Sequence, residues 1–169
     1  MTVKKCFILI AGISGTGKSD HLDHLREKRG FYTIDTDREW SYRIEEVRKR
    51  NVVRHLVDAH GRVAVEWGFN PDDFLDFVRE MSRQGARLVW FEVDGDRRPA
   101  LAEYLKRAGA PPNPKLWYDQ VERIQRHGLP TLDFKVVYAL GMQGHSPPEV
   151  IDREIFPHEN WKPRSLLAS

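Results

Sequence analysis

A single cysteine, Cys6, stands among the 169 residues of the sequence. One thiol cannot form an internal disulfide, and it excludes zinc sites built from several cysteines. The seven histidines show no HxH or HExxH spacing, so no zinc site of that kind is predicted. No apolar run approaches the ~18 residues of a membrane span, and the apolar part of the first segment is short for a signal peptide. We therefore expect a cytoplasmic protein without a membrane span.

A large excess of charge of one sign is also missing. Lys and Arg number 27 against 25 Asp and Glu, which gives a net charge of +2. Proteins that bind nucleic acid by neutralising phosphates usually show a larger or more clustered excess. The basic cluster alternates with Glu45 and Glu46, a pattern more typical of a solvated helix face, although a nucleic-acid surface stays open. Its members are Arg43, Arg48, Lys49, Arg50 and Arg54.

Short apolar runs alternate with helical patterns along the chain, and no repeat interrupts them. Near-continuous apolar strands between amphipathic helices are typical of parallel strands covered on both faces. The sequence thus predicts a three-layer α/β fold in one domain over residues 1–169. The predicted strands are 3–11, 31–34, 62–66, 86–93 and 134–140. The predicted helices are 19–29, 39–59, 71–83, 98–108, 115–126 and 148–155, and residues 141–148 are predicted to form a loop.

Residues 12–19 read GISGTGKS and match the phosphate-binding pattern GxxxxGK[ST] between an apolar strand and a helix. We call this segment the P-loop. Its glycines let backbone N–H groups turn inward around phosphates, and the positive end of the following helix faces the same charge. The lysine of the pattern reaches the β- and γ-phosphates, and the final serine holds Mg²⁺. The predicted nucleotide-binding residues are Gly12, Ser14, Gly15, Thr16, Gly17, Lys18 and Ser19.

Acidic residues follow the predicted second and third strands, at the edge where open parallel sheets bind ligands. We expect one of Asp35 and Asp37 to lie near the Mg²⁺ shell and the other to accept a proton from the acceptor hydroxyl. A turn at Asp35 and a helix cap at Asp37 are the structural alternative. Glu66 fits a substrate hydroxyl or a Mg²⁺-bound water, and Trp67 fits an acceptor pocket or the core equally well.

Phosphoryl transfer also needs cations that neutralise the transition state. The candidates bracket the predicted fourth helix: Arg97, Arg98, Lys106 and Arg107. A solvated helix face is the alternative interpretation for each of them, and Arg107 is the preferred candidate. Asp94 suits a turn better than a metal site because Gly95 follows it. His145, after the fifth strand, is expected at the surface rather than in catalysis.

These motifs together resemble P-loop small-molecule and nucleic-acid kinases over about residues 3–108. The segment DTDRE is similar to the Asp-x-Asp element of shikimate-type kinases. Residues 62–94 look most like the zeta-toxin/polynucleotide-kinase-like group of AAA-type ATPases, with an acidic-Trp-Gly-Phe element after a strand. The Gly-Gly-Gly of shikimate kinases is missing after the third strand, which disfavours a shikimate substrate. No NKxD motif for reading guanine is present.

The resemblance implies a five-stranded parallel sheet in the order 2-3-1-4-5, a short arginine lid at about 95–115, and use of ATP with Mg²⁺. Sequence pattern and resemblance together give the functional candidates: for catalysis Lys18, Asp35 and Arg107, for metal Ser19 and Asp35, and for the acceptor Asp37, Glu66 and Trp67. The predicted activity is transfer of the γ-phosphoryl of Mg-ATP to a hydroxyl group of a small molecule or a polynucleotide. A nucleotide-binding switch or regulatory ATPase without an acceptor is the alternative.

The salt dependence of transfer separates the two acceptor classes. For a small acceptor, we expect the transfer rate to change less than about three-fold between roughly 50 and 200 mM salt. A polynucleotide acceptor held by several phosphate contacts would lose on the order of 10³-fold in affinity over that range. Labelled-phosphate transfer at fixed Mg-ATP measures the difference, and a steep fall would contradict the small-molecule interpretation.

Overall fold

The computed structural model describes residues 5–35, 57–66, 79, 86–106, 113–126, 135–141 and 144–155. Its strands are β1 (Cys6–Gly12), β2 (Tyr32–Asp35), β3 (Arg62–Glu66), β4 (Arg87–Val93), β5 (Lys135–Gly141) and β6 (Gly144–His145). Its helices are α1 (Lys18–Arg29), α2 (Arg98–Leu105), α3 (Pro114–Arg126) and α4 (Val150–Ile155). Residues 57–60 are also helical. The rest of the predicted helix 39–59, and all of 71–83 except residue 79, lie outside the described residues.

The strands form one sheet in the order β2-β3-β1-β4-β5-β6. The first five are parallel, and β6 runs antiparallel to β5 through the pairs Leu140↔His145 and Gly141↔Gly144. The predicted α/β class and the order of the first five strands are confirmed. The prediction of five strands was wrong, and so was the predicted loop at Gly144 and His145, since the described residues form a sheet of six strands. A two-residue strand is too short to show an alternating pattern, so the sequence gives no sign of β6.

Strand β1 lies at the centre of the sheet, and its sequence CFILIAG explains why. Ile8, Leu9 and Ile10 have no exposed surface, because successive side chains point to opposite faces and both faces are covered. Leu9 packs in one cluster with residues of α2 and α3, while Ile8 and Ile10 pack in another with residues of α1 and α4. These two clusters give the three-layer architecture. None of the described helices is long and apolar enough to cross a membrane.

Helix α4 is fastened to α1 by a partly buried charge cluster. Arg29 Nε donates to Asp152 Oδ1 at 2.8 Å, and His24 Nε2 lies 3.0 Å from Asp152 Oδ2. The Arg29 side chain is 7% exposed and that of Asp152 21%. A carboxylate in this position compensates a guanidinium that the fold has largely removed from water. The cluster therefore holds the last described helix against the first.

Replacing Asp152 by alanine leaves Arg29 without this buried counter-charge. Because the carboxylate keeps some exposure, we expect a cost of about 2–3 kcal/mol, below the 3–5 of a fully buried pair. That cost corresponds to a fall in Tm of roughly 5–10 °C for a chain of this length. Asp23→Ala is the matched control, since Asp23 pairs with Arg26 at the surface of α1. The control should lower Tm by less than about 3 °C, and equal losses in thermal unfolding would contradict the expectation.

Candidate active site

The P-loop joins β1 to α1 and is fixed by close backbone contacts. A Cβ on Gly12 would lie 2.3 Å from the carbonyl oxygen of Phe91, and the same oxygen accepts a hydrogen bond from the N–H of Ile13 at 3.1 Å. Thr16, which has no exposed surface, donates from Oγ1 to the carbonyl of Ile13 at 2.7 Å. These contacts hold the loop at the carboxyl edge of the central strand, where the sequence predicts phosphate binding.

Lys18 folds back across the loop that precedes it. Its Nζ donates to the carbonyl oxygens of Ile13 at 3.1 Å and Gly12 at 3.3 Å, and the residue is 5% exposed. An ammonium group is costly to bury unless negative charge or hydrogen bonds compensate it. A buried cation at the mouth of a phosphate-binding loop provides the charge that a triphosphate requires.

The ends of β2 and β3 bring two carboxylates next to this loop. Asp35 and Glu66 are paired in the sheet register, so their side chains lie on the same face, and both are buried. Ser19 Oγ, at the start of α1, donates to Glu66 Oε2 at 3.2 Å. Within the described residues, no three His, Cys, Asp or Glu side chains form a metal-binding group. A hydroxyl with one or two carboxylates fits Mg²⁺, which commonly fills its shell with water and phosphate oxygens.

His21 lies beneath the P-loop and was not singled out from the sequence. Its Nδ1 lies 2.9 Å from the carbonyl oxygen of Gly17, and its ring meets Phe91 edge to face at 4.6 Å. Burial lowers the pKa of His21 below its usual value, and the Gly17 hydrogen bond opposes this only in part. The ring is therefore neutral at pH 7 and donates from Nδ1, because a carbonyl can only accept. The spacing of Lys18, His21, Leu22 and Leu25 on one buried helix face is the signal that could have found it.

Helices α2 and α3 contact the other side of the loop. A Cβ on Gly15 would lie 2.0 Å from the carbonyl oxygen of Ala100 in α2. From α3, Trp117 Nε1 donates to the carbonyl of Ser14 at 3.0 Å, and Gln120 Oε1 accepts from the Ser14 N–H at 3.2 Å. The two contacts from α3 join residues more than 100 positions apart, so no local pattern in the sequence predicts them.

A cavity of about 200 Å³ opens between the P-loop and helices α2 and α3. It is lined by Ser14, Tyr104, Leu116, Trp117, Asp119, Gln120 and Arg123. Asp119 is paired with Lys115 at 3.0 Å. Among the described residues, the guanidinium of Arg123 and the hydroxyl of Tyr104 have no hydrogen-bond partner. The lining is thus rich in hydrogen-bond donors beside the phosphate-binding loop.

Strand β6 places His145 against the P-loop rather than away from it. The ring Nδ1 lies 3.1 Å from where a Cβ on Gly17 would stand, and Nε2 lies 3.7 Å from Glu103 Oε2. The side chain is 38% exposed, in agreement with the expected surface position. The pKa of Glu103 is lowered, first by its hydrogen bond to Lys106 and to a smaller extent by His145.

The predicted lid cations that the structure describes each pair with an acidic residue a few positions away in the sequence. Arg97 makes two bonds to Glu92, from Nε at 3.1 Å and from the terminal nitrogen at 3.0 Å. Arg98 is paired with Asp96. Lys106 is bonded to Glu103 at 3.1 Å. The Arg98 and Lys106 pairs are exposed, whereas the Arg97 pair is partly buried, and the role of all three cations in transfer stays a prediction.

The remaining predicted residues divide into two groups. Asp94 lies in an exposed bend, as the turn interpretation predicts. Its N–H donates to the Leu140 carbonyl at 2.8 Å. Asp37, Trp67 and Arg107 lie outside the described residues, as does the basic cluster at 43–54. Their roles stay predictions.

No protein-family model and no curated protein matches the sequence. Solved structures do match the fold. A sugar kinase from Janibacter sp. has a TM-score of 0.62 at 17% identity, over 88% of this chain and 91% of that one. A gluconokinase from Sinorhizobium meliloti has 0.58 at 20% identity, over 91% and 90%. A shikimate kinase from Bacteroides thetaiotaomicron has 0.54 at 14% identity, over 89% and 94%.

The chain has the P-loop NTPase fold. The predicted fold class is confirmed by these neighbours, which are kinases with the same architecture. At such low identities the likeness concerns the fold alone. The narrower resemblance to the zeta-toxin and polynucleotide-kinase group stays a prediction.

The contact between Gly15 and α2 can be tested by comparing substitutions at Gly15 and at Gly95, a glycine with a similar φ angle. Gly15 has φ +92° and Gly95 φ +91°, but nothing lies within 4 Å of a Cβ at Gly95. Gly95→Ala should cost about 1–2 kcal/mol for the left-handed conformation alone, a Tm loss of roughly 2–8 °C. Gly15→Ala should cost a further ~1–3 kcal/mol, because the methyl group forces α2 away from the loop.

We also expect Gly15→Ala to weaken Mg-ATP binding at least about ten-fold, while Gly95→Ala leaves it within about three-fold. Thermal unfolding and titration calorimetry give the two readouts. Equal effects of both substitutions would show that the Ala100 contact does not shape the loop.

Proposed function

We propose that the protein is a kinase that transfers the γ-phosphoryl group of Mg-ATP to a hydroxyl group of a small molecule. The observation that carries this proposal is the placement of Ser19, Glu66 and Asp35 at one edge of the sheet beside Lys18. Such a site has a group for phosphate, a group for metal and a second carboxylate that can serve the acceptor. The kinase neighbours of the same fold support it.

Lys18 and the P-loop amides bind the phosphates in this proposal. The Lys18 ammonium lies over the loop carbonyls and turns to the β- and γ-phosphate oxygens when nucleotide is present. Because His21 beneath the loop is neutral at pH 7, the positive charge at this point comes from Lys18 and the N-terminus of α1. The triphosphate is thus held with its terminal group toward the sheet edge.

Ser19 and Glu66 are the proposed metal-binding pair, because their side chains are already within hydrogen-bond distance. Bound Mg²⁺ supplies charge neutralisation on the transferred phosphoryl group. Asp35, previously a candidate for both metal and base, is then the proposed general base. Its carboxylate takes the proton of the acceptor hydroxyl while that oxygen bonds to the γ-phosphorus and the bond to the ADP oxygen breaks.

The cavity at Ser14 supports a small acceptor rather than a polymer. Its volume of about 200 Å³ equals that of roughly six or seven water molecules in the liquid. Polar groups and the aromatic rings of Tyr104 and Trp117 line it together, and such a mixture suits a sugar-like alcohol. Asp37, Trp67 and Arg107 complete the acceptor side and the lid in the proposal.

Asp35→Asn tests the proposed base. We expect Mg-ATP affinity to stay within about three-fold, because the residue does not hold the phosphates, and transfer to fall by about 10²–10⁴-fold. Asp23→Asn, on the exposed face of α1, is the matched control and should keep full activity. Labelled ATP with a panel of sugars, sugar acids, nucleosides and oligonucleotides identifies the acceptor.

Retained transfer in Asp35→Asn would overturn the base assignment. Slow ATP hydrolysis in the wild type that no compound of the panel accelerates would overturn the kinase proposal itself. The protein would then be a nucleotide-dependent switch or regulatory ATPase.

A further inference from the structure

Helix α3 holds Ser14 by both of its main-chain polar groups. Gln120 Oε1 accepts from the Ser14 N–H at 3.2 Å, and Trp117 Nε1 donates to the Ser14 carbonyl at 3.0 Å. Trp117 and Gln120 are three residues apart, so both lie on one face of the helix. The indole is buried, which anchors this face to the core. The Gln120 side chain is therefore held in one orientation by the P-loop itself.

A single peptide unit separates the Gln120 amide from the Lys18 ammonium. The Ile13 carbonyl accepts from Lys18 Nζ at 3.1 Å, and the Ser14 N–H of the same peptide donates to Gln120. In a trans peptide these two groups point in opposite directions. Lys18 thus marks the phosphate side of the peptide, and Gln120 marks its other side, where the cavity lies. A molecule in the cavity would therefore be one peptide unit away from Lys18, the residue proposed to bind the terminal phosphate.

Much of the free hydrogen-bonding capacity of the cavity is donor capacity, although Oδ1 of Asp119 and the hydroxyl oxygens of Ser14 and Tyr104 can also accept. Since Oε1 of Gln120 is engaged by Ser14, its Nε2 presents two donor hydrogens, and none of the described residues accepts them. Arg123 and the Tyr104 hydroxyl also have no partner within the described part of the chain. The carboxylate of Asp119 is already paired with Lys115. A complementary ligand must offer oxygen acceptors, and the guanidinium favours one that is anionic.

We infer that Gln120 positions the acceptor, and that the acceptor is a small hydroxyl compound bearing an anionic oxygen group that Arg123 binds. The inference rests on the proposed function and deepens it. Gln120, fixed by Ser14, donates from Nε2 to an oxygen of the acceptor and sets its hydroxyl group beside the terminal phosphate. The Arg123 guanidinium binds the anionic end and so selects charged compounds over neutral ones.

Matched compounds and matched variants test this inference. The compounds are glucitol, which is neutral, gluconate, which carries a carboxylate, and glucose 6-phosphate, which carries a phosphate group. The variants are Gln120→Glu and Arg123→Gln, and the controls are Gln125→Glu and Arg126→Gln on the same helix. Gln125 is exposed, and Arg126 pairs with Glu122 at the surface. Gln120→Glu still accepts from Ser14 but has no amide hydrogen to donate.

We expect the wild type to phosphorylate at least one anionic compound with a kcat/KM about ten-fold or more above that of glucitol. Which of the two anions is preferred distinguishes a carboxylate from a phosphate group. Gln120→Glu should raise the acceptor KM at least about ten-fold, because the hydrogen bond from Nε2 is lost and the new carboxylate repels the anionic acceptor. The KM for ATP should stay within about three-fold of the wild-type value, and the Tm within about 3 °C. Arg123→Gln should reduce the preference for the anion to within about three-fold, and neither control should change it.

Three results would overturn the inference. An acceptor KM unchanged by Gln120→Glu, or raised equally with the KM for ATP, removes the positioning role. A wild type that prefers glucitol, or an anion preference that survives Arg123→Gln, removes the anionic acceptor. If no hydroxyl compound of any class accepts phosphate, the proposed kinase function fails and the inference fails with it. In the first two cases the kinase activity itself remains, so the failures are distinguishable.

Discussion

The site depends on how closely the backbone of the P-loop approaches its neighbours. At Gly12 the loop lies against the Phe91 carbonyl of β4, and at Gly15 against the Ala100 carbonyl of α2. A side chain at either glycine would occupy the position of a backbone oxygen, which cannot move without its whole element. These two contacts fix the loop between strand and helix. The positions of Lys18 and Ser19 relative to the carboxylates follow from them.

Burial, as much as residue type, determines which side chains at the site carry charge. Asp35 and Glu66 lie side by side in the sheet and are both buried, an arrangement that favours a cation nearby. Beneath the loop, desolvation lowers the pKa of His21 and keeps its ring neutral at pH 7. The imidazole therefore adds shape and a hydrogen bond to Gly17 without adding charge. In the proposed function, Lys18 is the side chain at the loop that brings positive charge to the phosphates.

Much of this architecture could be predicted from the sequence because its signals are local. The apolar run of β1, the GxxxxGKS pattern and the bounds of β3 each depend on residues that are adjacent in the chain. The prediction of five strands was wrong because β6 has two residues and is formed by a return of the chain, not by an alternating pattern. The contacts of Trp117 and Gln120 with Ser14 span more than 100 positions. They follow from how α3 packs on the sheet, and that packing cannot be predicted from the spacing of residues in the sequence.

Helix α3 divides its tasks between its faces. Trp117 and Gln120 line the cavity and also hold Ser14, whereas Asp119 and Arg123 line it and, among the described residues, form no hydrogen bond with the loop. Asp119 and Arg123 can therefore be exchanged with little cost to folding, while Trp117 and Gln120 keep the helix on Ser14. In the proposed kinase, the range of acceptors can therefore change in evolution while the nucleotide site is kept. The same separation makes α3 the natural segment for a mutational library that varies the proposed acceptor site.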